Sequence, residues 1–245
     1  MSTVVAKSRV IKGRKLYREN KKLLDEISAK YGVQSRFIIS LWGIETSYGK
    51  ITGGFNVPHA LATLAHDGRR SKFFRKELLN SLKIINAGHI TYRNMKGSWA
   101  GAMGQSQFMP SSFLAYAVDY DGDGRRDIWS TKADIFASIA NYLSKSGWND
   151  ELTWGRKVSL PQTFDNGIAN IKTFRKLNEW QNKGVRKESG ADLPKADLSA
   201  ALIFPDSSKE HPYLIYSNYN VILKWNRSRY FASAVGTLAD MIAAK

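Results

Sequence analysis

The residue best placed to do chemistry in this 245-residue chain is Glu45, in the run Leu41-Trp42-Gly43-Ile44-Glu45-Thr46-Ser47-Tyr48-Gly49. On a period of 3.6 residues it shares a stripe with Ile38, Leu41, Trp42 and Tyr48. A carboxyl group on an aromatic, apolar stripe loses hydration, which raises its pKa and keeps it protonated nearer neutrality. That state suits a general acid acting on a glycosidic oxygen. Glycines follow at 49, 53 and 54, where a bare backbone lets a substrate come close. The plainer alternative is a Glu paired with a buried Arg, the commoner fate of a carboxylate on an apolar face.

Two further clusters carry polar chemistry. Ser98-Trp99-Ala100-Gly101-Ala102-Met103-Gly104-Gln105-Ser106-Gln107-Phe108-Met109-Pro110-Ser111-Ser112 interleaves small residues with Trp, Met and amides. It suits a groove wall whose amides and hydroxyls orient N-acetyl groups, with Trp99 or Phe108 stacked on sugar rings. It suits equally a tight loop leading into a helix opened by Pro110. Asp119-Tyr120-Asp121-Gly122-Asp123-Gly124-Arg125-Arg126-Asp127 matches the first half of an EF-hand-type calcium loop. Oxygen ligands fall at the first, third and fifth positions, glycine at the sixth, the Arg125 carbonyl at the seventh and Asp127 at the ninth. Ser130 stands where the closing Glu belongs, so Asp134 is the candidate to close a longer loop, although it also fits a capping box with Thr131. The expected ligands are Asp119, Asp121, Asp123, Arg125 and Asp134. A solvated acidic turn is the alternative, but alternating Asp before Gly in so basic a chain favours a metal.

Helices must present these clusters. Leu16, Leu23, Leu24, Ile27 and Tyr31 share a face over 14–31, with Gly32 as the stop. Further helical patterns cover 35–48, 58–65, 72–87, 111–118, 131–144 and 228–243. Four of the six prolines fall within 151–212, where short apolar runs such as 201–204 read as strands. The expected fold class is mainly α (α+β). Residues 1–150, including the loop 119–134, form a helical catalytic domain, 151–212 a smaller mixed α/β accessory region, and 213–245 a C-terminal segment returning to the catalytic domain.

Composition bounds the partners. The 37 Lys and Arg against 21 Asp and Glu give a net charge of +16, which favours polyanions without choosing among nucleic acid, anionic lipid and wall polymer. No DNA-reading motif accompanies the charge. The absence of Cys excludes disulfides, thiolate catalysis and Cys-ligated zinc. No transmembrane stretch is present, and no apolar signal-peptide core follows the basic start, so any export leader is expected to have been removed.

Together and in order, the clusters resemble the soluble lytic murein transglycosylase B family. The matching elements are Trp42-Gly43-Ile44-Glu45-Thr46-Ser47-Tyr48-Gly49, Ala60-Leu61-Ala62-Thr63-Leu64, Gly101-Ala102-Met103-Gly104 with Gln107-Phe108-Met109-Pro110-Ser111-Ser112, the Asp-Gly loop, Ala137-Ser138-Ile139-Ala140-Asn141-Tyr142, and Trp225-Asn226-Arg227-Ser228 followed by Ala234-Val235. The resemblance implies a lysozyme-like helical domain with a peptidoglycan cleft and Glu45 as its catalytic residue. Ser98 and Gln107 match substrate-contacting positions, and Tyr142 and Asn226 cleft-lining ones, with Trp225 and Tyr48 assigned to the same cleft. Phe231 stands where a Tyr aligns, so a hydroxyl that orients Glu45 would have to come from Tyr230 or Ser98. The implied reaction cuts the β-1,4 bond between N-acetylmuramic acid and N-acetylglucosamine, leaving 1,6-anhydromuramic ends, with Glu45 as acid and then base. No other carboxylate has so apolar a setting, since Asp67 and Glu77 lie among Arg and Lys and read as surface partners. The alternatives are a hydrolytic muramidase with the same cleft and a non-catalytic wall-binding protein. The resemblance implies no organic cofactor and one structural Ca2+. The expected partners are peptidoglycan glycan strands and other cell-wall enzymes, not nucleic acid, in the bacterial periplasm or cell envelope.

Overall fold

The expected helix over 14–31 is two helices in the computed structural model, which describes residues 4–206 and 210–244. Helices α1 (Lys7–Glu19) and α2 (Lys21–Tyr31) part at Asn20, whose φ of −110° and ψ of 16° leave the helical region. Asn20 Nδ2 donates to Leu16 O at 2.7 Å, a local side-chain bond that competes with helix continuation. Gly32, left-handed at φ 62°, ends α2 as its type requires.

Helix α3 (Ser35–Thr46) runs through the core, and only Arg36, Ile44 and Glu45 along it are not buried. Strand β1 (Phe55–Asn56) leads into α4 (Val57–His66), where Asn56 Oδ1 accepts from His59 N and Pro58 occupies the first turn. Helix α5 (Ser71–Asn86) follows, and β2 (Lys96–Gly97) then pairs antiparallel with β1, Phe55 opposite Gly97. Helix α6 (Pro110–Tyr116) begins at the expected proline, and α7 (Lys132–Lys145) is buried along most of its length. These elements belong to one compact unit, Ser2–Lys145 with Leu238–Lys245.

The other compact unit, Ser146–Thr237, is built on an antiparallel sheet. Its elements in chain order are β3 (Gly155–Ser159), β4 (Arg175–Lys176), α8 (Leu177–Asn182), β5 (Arg186–Lys187), β6 (Ser199–Ile203), β7 (Tyr213–Ile215), α9 (Ser217–Trp225) and the first part of α10 (Arg229–Ala243). The strand order is β4-β6-β7-β3-β5. Trp180, Leu202, Leu214 and Tyr216 pack in its core, and Trp180 Nε1 donates to Ala200 O at 2.8 Å.

The domain limits differ from expectation. Residues 213–237 group with the sheet unit. Tyr213 and Tyr219 hold them there by packing on Trp154 at centroid distances of 5.2 and 6.0 Å. Only the end of α10 joins the helical unit, where Asp240 pairs with Arg36 at 3.1 Å and Met241 O accepts from Arg14 Nε. Helix α9 had no counterpart among the expected helices.

Gly236 is the most closely packed glycine described in the sheet unit, because a Cβ there would stand 2.1 Å from the Trp154 ring. Gly236→Ala gains roughly 1 kcal/mol in helix propensity but overfills a site with no slack. The expected net result is a loss of about 2 kcal/mol, read from urea unfolding. An unchanged midpoint would show that Trp154 has room to move.

Candidate active site

The catalytic candidate sits where α3 stops. Glu45 is partly exposed one residue before the helix end, and the chain then takes three consecutive left-handed residues: Ser47 (φ 52°), Tyr48 (φ 60°) and Gly49 (φ 78°). Such a turn is costly for Ser and Tyr, about 1–3 kcal/mol each. Gln107, with φ 51°, is strained in the same way. Three of the four non-glycine residues with positive φ among those described therefore lie in the two segments read as the site. Strain of this kind persists where surrounding contacts over-determine the backbone, and it concentrates at functional sites.

The turn also redirects Tyr48. Leaving the helix at Ser47 takes it off the Glu45 stripe and into the protein, where it is buried and its hydroxyl donates to Arg9 O at 2.8 Å. Burial pushes the phenol pKa up. Tyr48 thus braces α1 against α3 in place of the expected cleft position. Ile38, Leu41 and Trp42 do lie on the buried side of α3. Trp42 is fixed edge-on to Tyr48 and Phe136, at 5.5 and 5.1 Å.

Gln105, which the sequence reading did not select, holds this turn. Its Oε1 accepts from Trp42 Nε1 at 2.7 Å, and its Nε2 donates to Trp129 O at 2.7 Å. Its backbone N donates to Ile128 O at 2.7 Å, and its backbone O accepts from Thr46 Oγ1 at 3.2 Å. Gly49 completes the arrangement, since a Cβ there would come within 2.2 Å of Gln105 Oε1. One residue therefore ties the last turn of α3 to the segment leaving the acidic loop. Two amides alternate in Gly104-Gln105-Ser106-Gln107, and nothing local to the sequence says which one turns inward.

The other expected contacts take distinct roles. Ser98 Oγ accepts from Ala102 N at 3.0 Å, closing the 98–102 turn and leaving its hydroxyl proton to donate. Gln107 Nε2 donates to Thr52 O and Gly104 O at 3.1 and 2.9 Å, joining the glycine-rich stretch after α3 to the 98–110 loop. Tyr142 lies against Tyr116 and Phe108, with centroids 4.6 and 5.8 Å away. Trp99 is 64% exposed, whereas Phe108 is 3% exposed and too enclosed to stack on a sugar ring. Phe55, across the β1–β2 pair from Gly97, adds an exposed ring that was not expected. Trp225 ends α9, Asn226 caps it with its backbone N donating to Ile222 O at 3.1 Å, and Asn226 Oδ1 accepts from Ser228 N. Both belong to the sheet unit.

Two other carboxylates are more deeply buried than Glu45. Glu77, expected at the surface, is 1% exposed and accepts from Ser111 N at 2.8 Å in the first turn of α6, where amides at a helix start favour an anion. Asp134 is fully buried and accepts from Tyr120 N and Asp127 N, both at 2.7 Å, so it closes the acidic loop across its span. Burial raises its pKa against those hydrogen bonds. Ligand oxygens of Asp119, Asp121 and Asp134 lie within 4.8 Å of one another. Asp119 also accepts from Gly122 N and Gly124 N, which winds the loop. Asp123, an expected ligand, instead pairs with the Arg125 guanidinium at 2.9 Å, and that bond lowers its pKa. Asp127 takes the amides of Trp129 and Ser130 and the Ser130 hydroxyl. Burial opposes ionisation of Asp127, but these bonds outweigh it and leave its pKa low.

A helical unit with one reachable carboxylate at a strained helix end, beside an acidic loop, is the arrangement of a lysozyme-like lytic enzyme. The family described as Transglycosylase SLT domain matches residues 1–240, and the chain belongs to it. Membrane-bound lytic murein transglycosylase B of Escherichia coli (strain K12) is 32% identical over 220 residues, covering 87% of this chain and 58% of the relative. SltB3 from Pseudomonas aeruginosa, solved in complex with NAG-anhNAM-pentapeptide, superposes with a TM-score of 0.95 at 41% identity. That match covers 98% of this chain and 65% of SltB3. The chain thus spans less than two thirds of either protein. The Escherichia coli lytic transglycosylase Slt35, solved in complex with calcium, matches with a TM-score of 0.83 at 29% identity, over 97% of this chain and 75% of Slt35.

Gln105→Leu would leave the Trp42 N–H and the Trp129 carbonyl without their partner. The expected loss is about 2 kcal/mol in urea unfolding, the usual penalty for stranded polar groups. A variant as stable as the parent would show that the turn is held by other means.

Proposed function

We propose that the chain is a peptidoglycan lytic transglycosylase. The observation that carries this reading is the contrast among enclosed carboxylates. Glu77 and Asp134 are buried against backbone amides, whereas Glu45 is partly exposed near the end of a mostly buried helix, with glycines following at 49, 53 and 54. The anhydromuramic ligand of SltB3 supports the product class.

Glu45, protonated, donates its proton to the β-1,4 glycosidic oxygen as the bond to the muramic C1 breaks. The substrate's own N-acetyl oxygen supports the cationic centre in place of a second enzyme carboxylate. Glu45, now ionised, takes the proton of the muramic C6 hydroxyl, whose oxygen bonds to C1 and closes the 1,6-anhydro ring. The proton returns to Glu45, no water is consumed, and no organic cofactor is required. Ser98 and Gln107 Oε1 orient the sugar chain, Trp99 offers a stacking face, and Tyr142 lines the cleft of the helical unit. The Ser2–Lys145 unit is the catalytic one, and the sheet unit is accessory. Such an enzyme works in the bacterial cell envelope, on its periplasmic side. Among the described residues no helix is long and apolar enough to cross a membrane.

The acidic loop suits calcium. Asp119, Asp121 and Asp134 would hold the ion together with the Arg125 carbonyl, a hard-oxygen set on a flexible frame that favours Ca2+ over Mg2+. Asp123 joins only by releasing Arg125. Slt35 binding calcium supports this assignment.

Glu45→Gln retains shape and cannot transfer a proton. Release of soluble muropeptides from purified sacculi is expected to fall by at least about a hundredfold, with an unchanged thermal melt. Substantial lysis by the folded variant would remove Glu45 from the mechanism.

Calcium added to chelator-treated protein is expected to raise the melting temperature more than magnesium. The stabilisation should be about 2.7 kcal/mol at a hundredfold excess over Kd, and Asp121→Ala should abolish most of it. Equal responses to both ions, or none, would reduce the loop to an acidic turn.

A further inference from the structure

Helix α5 has an outer face that carries none of the residues assigned to the glycan chemistry. Its inward side carries Glu77, Asn80, Ser81 and Ile84, all buried. Its outward side carries Lys72, Arg75, Lys76, Leu79, Leu82 and Lys83, all exposed and all within one face on a 3.6-residue period. Leu79 and Leu82 are 52% and 46% exposed, so two large apolar side chains stand in water between four cations. The preceding loop adds Arg69 and Arg70, both exposed.

Among the described residues of α4, α5 and α6, no surface acid balances these charges. Residues 68–118 contain eight Lys and Arg and a single acid, Glu77, which points inward and is held by Ser111 N. Helices α4 and α6, which pack on α5, carry no Asp or Glu. The nearest acid along the chain, Asp67, is paired with Arg69 at 3.0 Å.

A soluble or wall-bound polyanion would account for the cations but not for the leucines between them. Apolar side chains ringed by Lys and Arg on one face of a helix are what lets it lie in the headgroup region of a bilayer. The leucines enter the acyl boundary, the flexible Lys stems extend outward, and the charges reach lipid phosphates. We propose that the outer face of α5 docks this protein on the surface of an anionic lipid bilayer. The helix is about 24 Å long, and it lies flat on the membrane without crossing it. Glu45 and its turn are on other elements, so docking and cutting are separable.

The test is co-sedimentation of the full chain with phosphatidylcholine vesicles, with and without phosphatidylglycerol. Binding is expected only to the anionic vesicles. Lys72→Gln with Lys76→Gln should weaken it roughly fivefold per cation removed. Leu79→Ser with Leu82→Ser should weaken it on the order of tenfold and make what remains disappear in high salt. All four positions are exposed, so the thermal melt and the release of muropeptides from sacculi in solution should match the parent. Failure to bind anionic vesicles would overturn the proposal. So would leucine variants that bind as tightly as the parent, because adsorption would then be a matter of charge alone. Retained muropeptide release with lost vesicle binding separates this inference from the proposed glycan chemistry.

Discussion

The side-chain amide of Gln105 is the interaction on which the rest of the site depends. A helix end has little backbone bonding to fix it, because the last turn frays and the chain must leave. Here the exit is fixed by the bonds from Gln105 to Trp42, Thr46, Ile128 and Trp129. They hold Ser47 and Tyr48 in conformations that neither residue favours. They also place the segment leaving the acidic loop against the turn that follows Glu45. A metal in that loop would therefore stiffen the catalytic turn through contacts already present, with no ligand shared between the two sites.

Burial alone does not pick out the chemical carboxylate. Glu77 and Asp134 are more enclosed than Glu45, yet both spend their oxygens on backbone amides, as buried anions must. Glu45 differs in being reachable. A general acid needs partial desolvation together with contact to substrate, and the last turn of a mostly buried helix beside glycines suits the role proposed for Glu45. The loops on either side of the β1–β2 pair add exposed Phe55 and Trp99, the kind of apolar faces that carbohydrate rings pack against.

How much of this was legible in the sequence depended on whether the deciding contact was local. The core stripe of α3, the start of α6 at Pro110 and the closure of the acidic loop by Asp134 all follow from residue type and spacing. Tyr48 was misread because left-handed Ser47 ends the helical period before it, and Tyr48 is left-handed itself. Glu77 was misread because its basic neighbours in sequence, Arg75 and Lys76, lie on the opposite face of α5, and adjacency along a helix is not adjacency in space. Asp123 looked like a ligand until Arg125 proved close enough to claim it. The assignment of 213–237 to the sheet unit rests on Trp154, some sixty residues earlier, and Gln105 reaches Trp42 and Thr46 over a similar separation. Such tertiary pairings leave no periodic trace.

The claim that one carboxylate both gives and retrieves the proton is tested most directly by digesting sacculi in water enriched in heavy oxygen and weighing the released muropeptides. If Glu45 directs the C6 hydroxyl to C1, the muramic ends are anhydro and carry no label. Heavy oxygen at the muramic C1 would show that water is the nucleophile, and would contradict the account even if Glu45 remained essential.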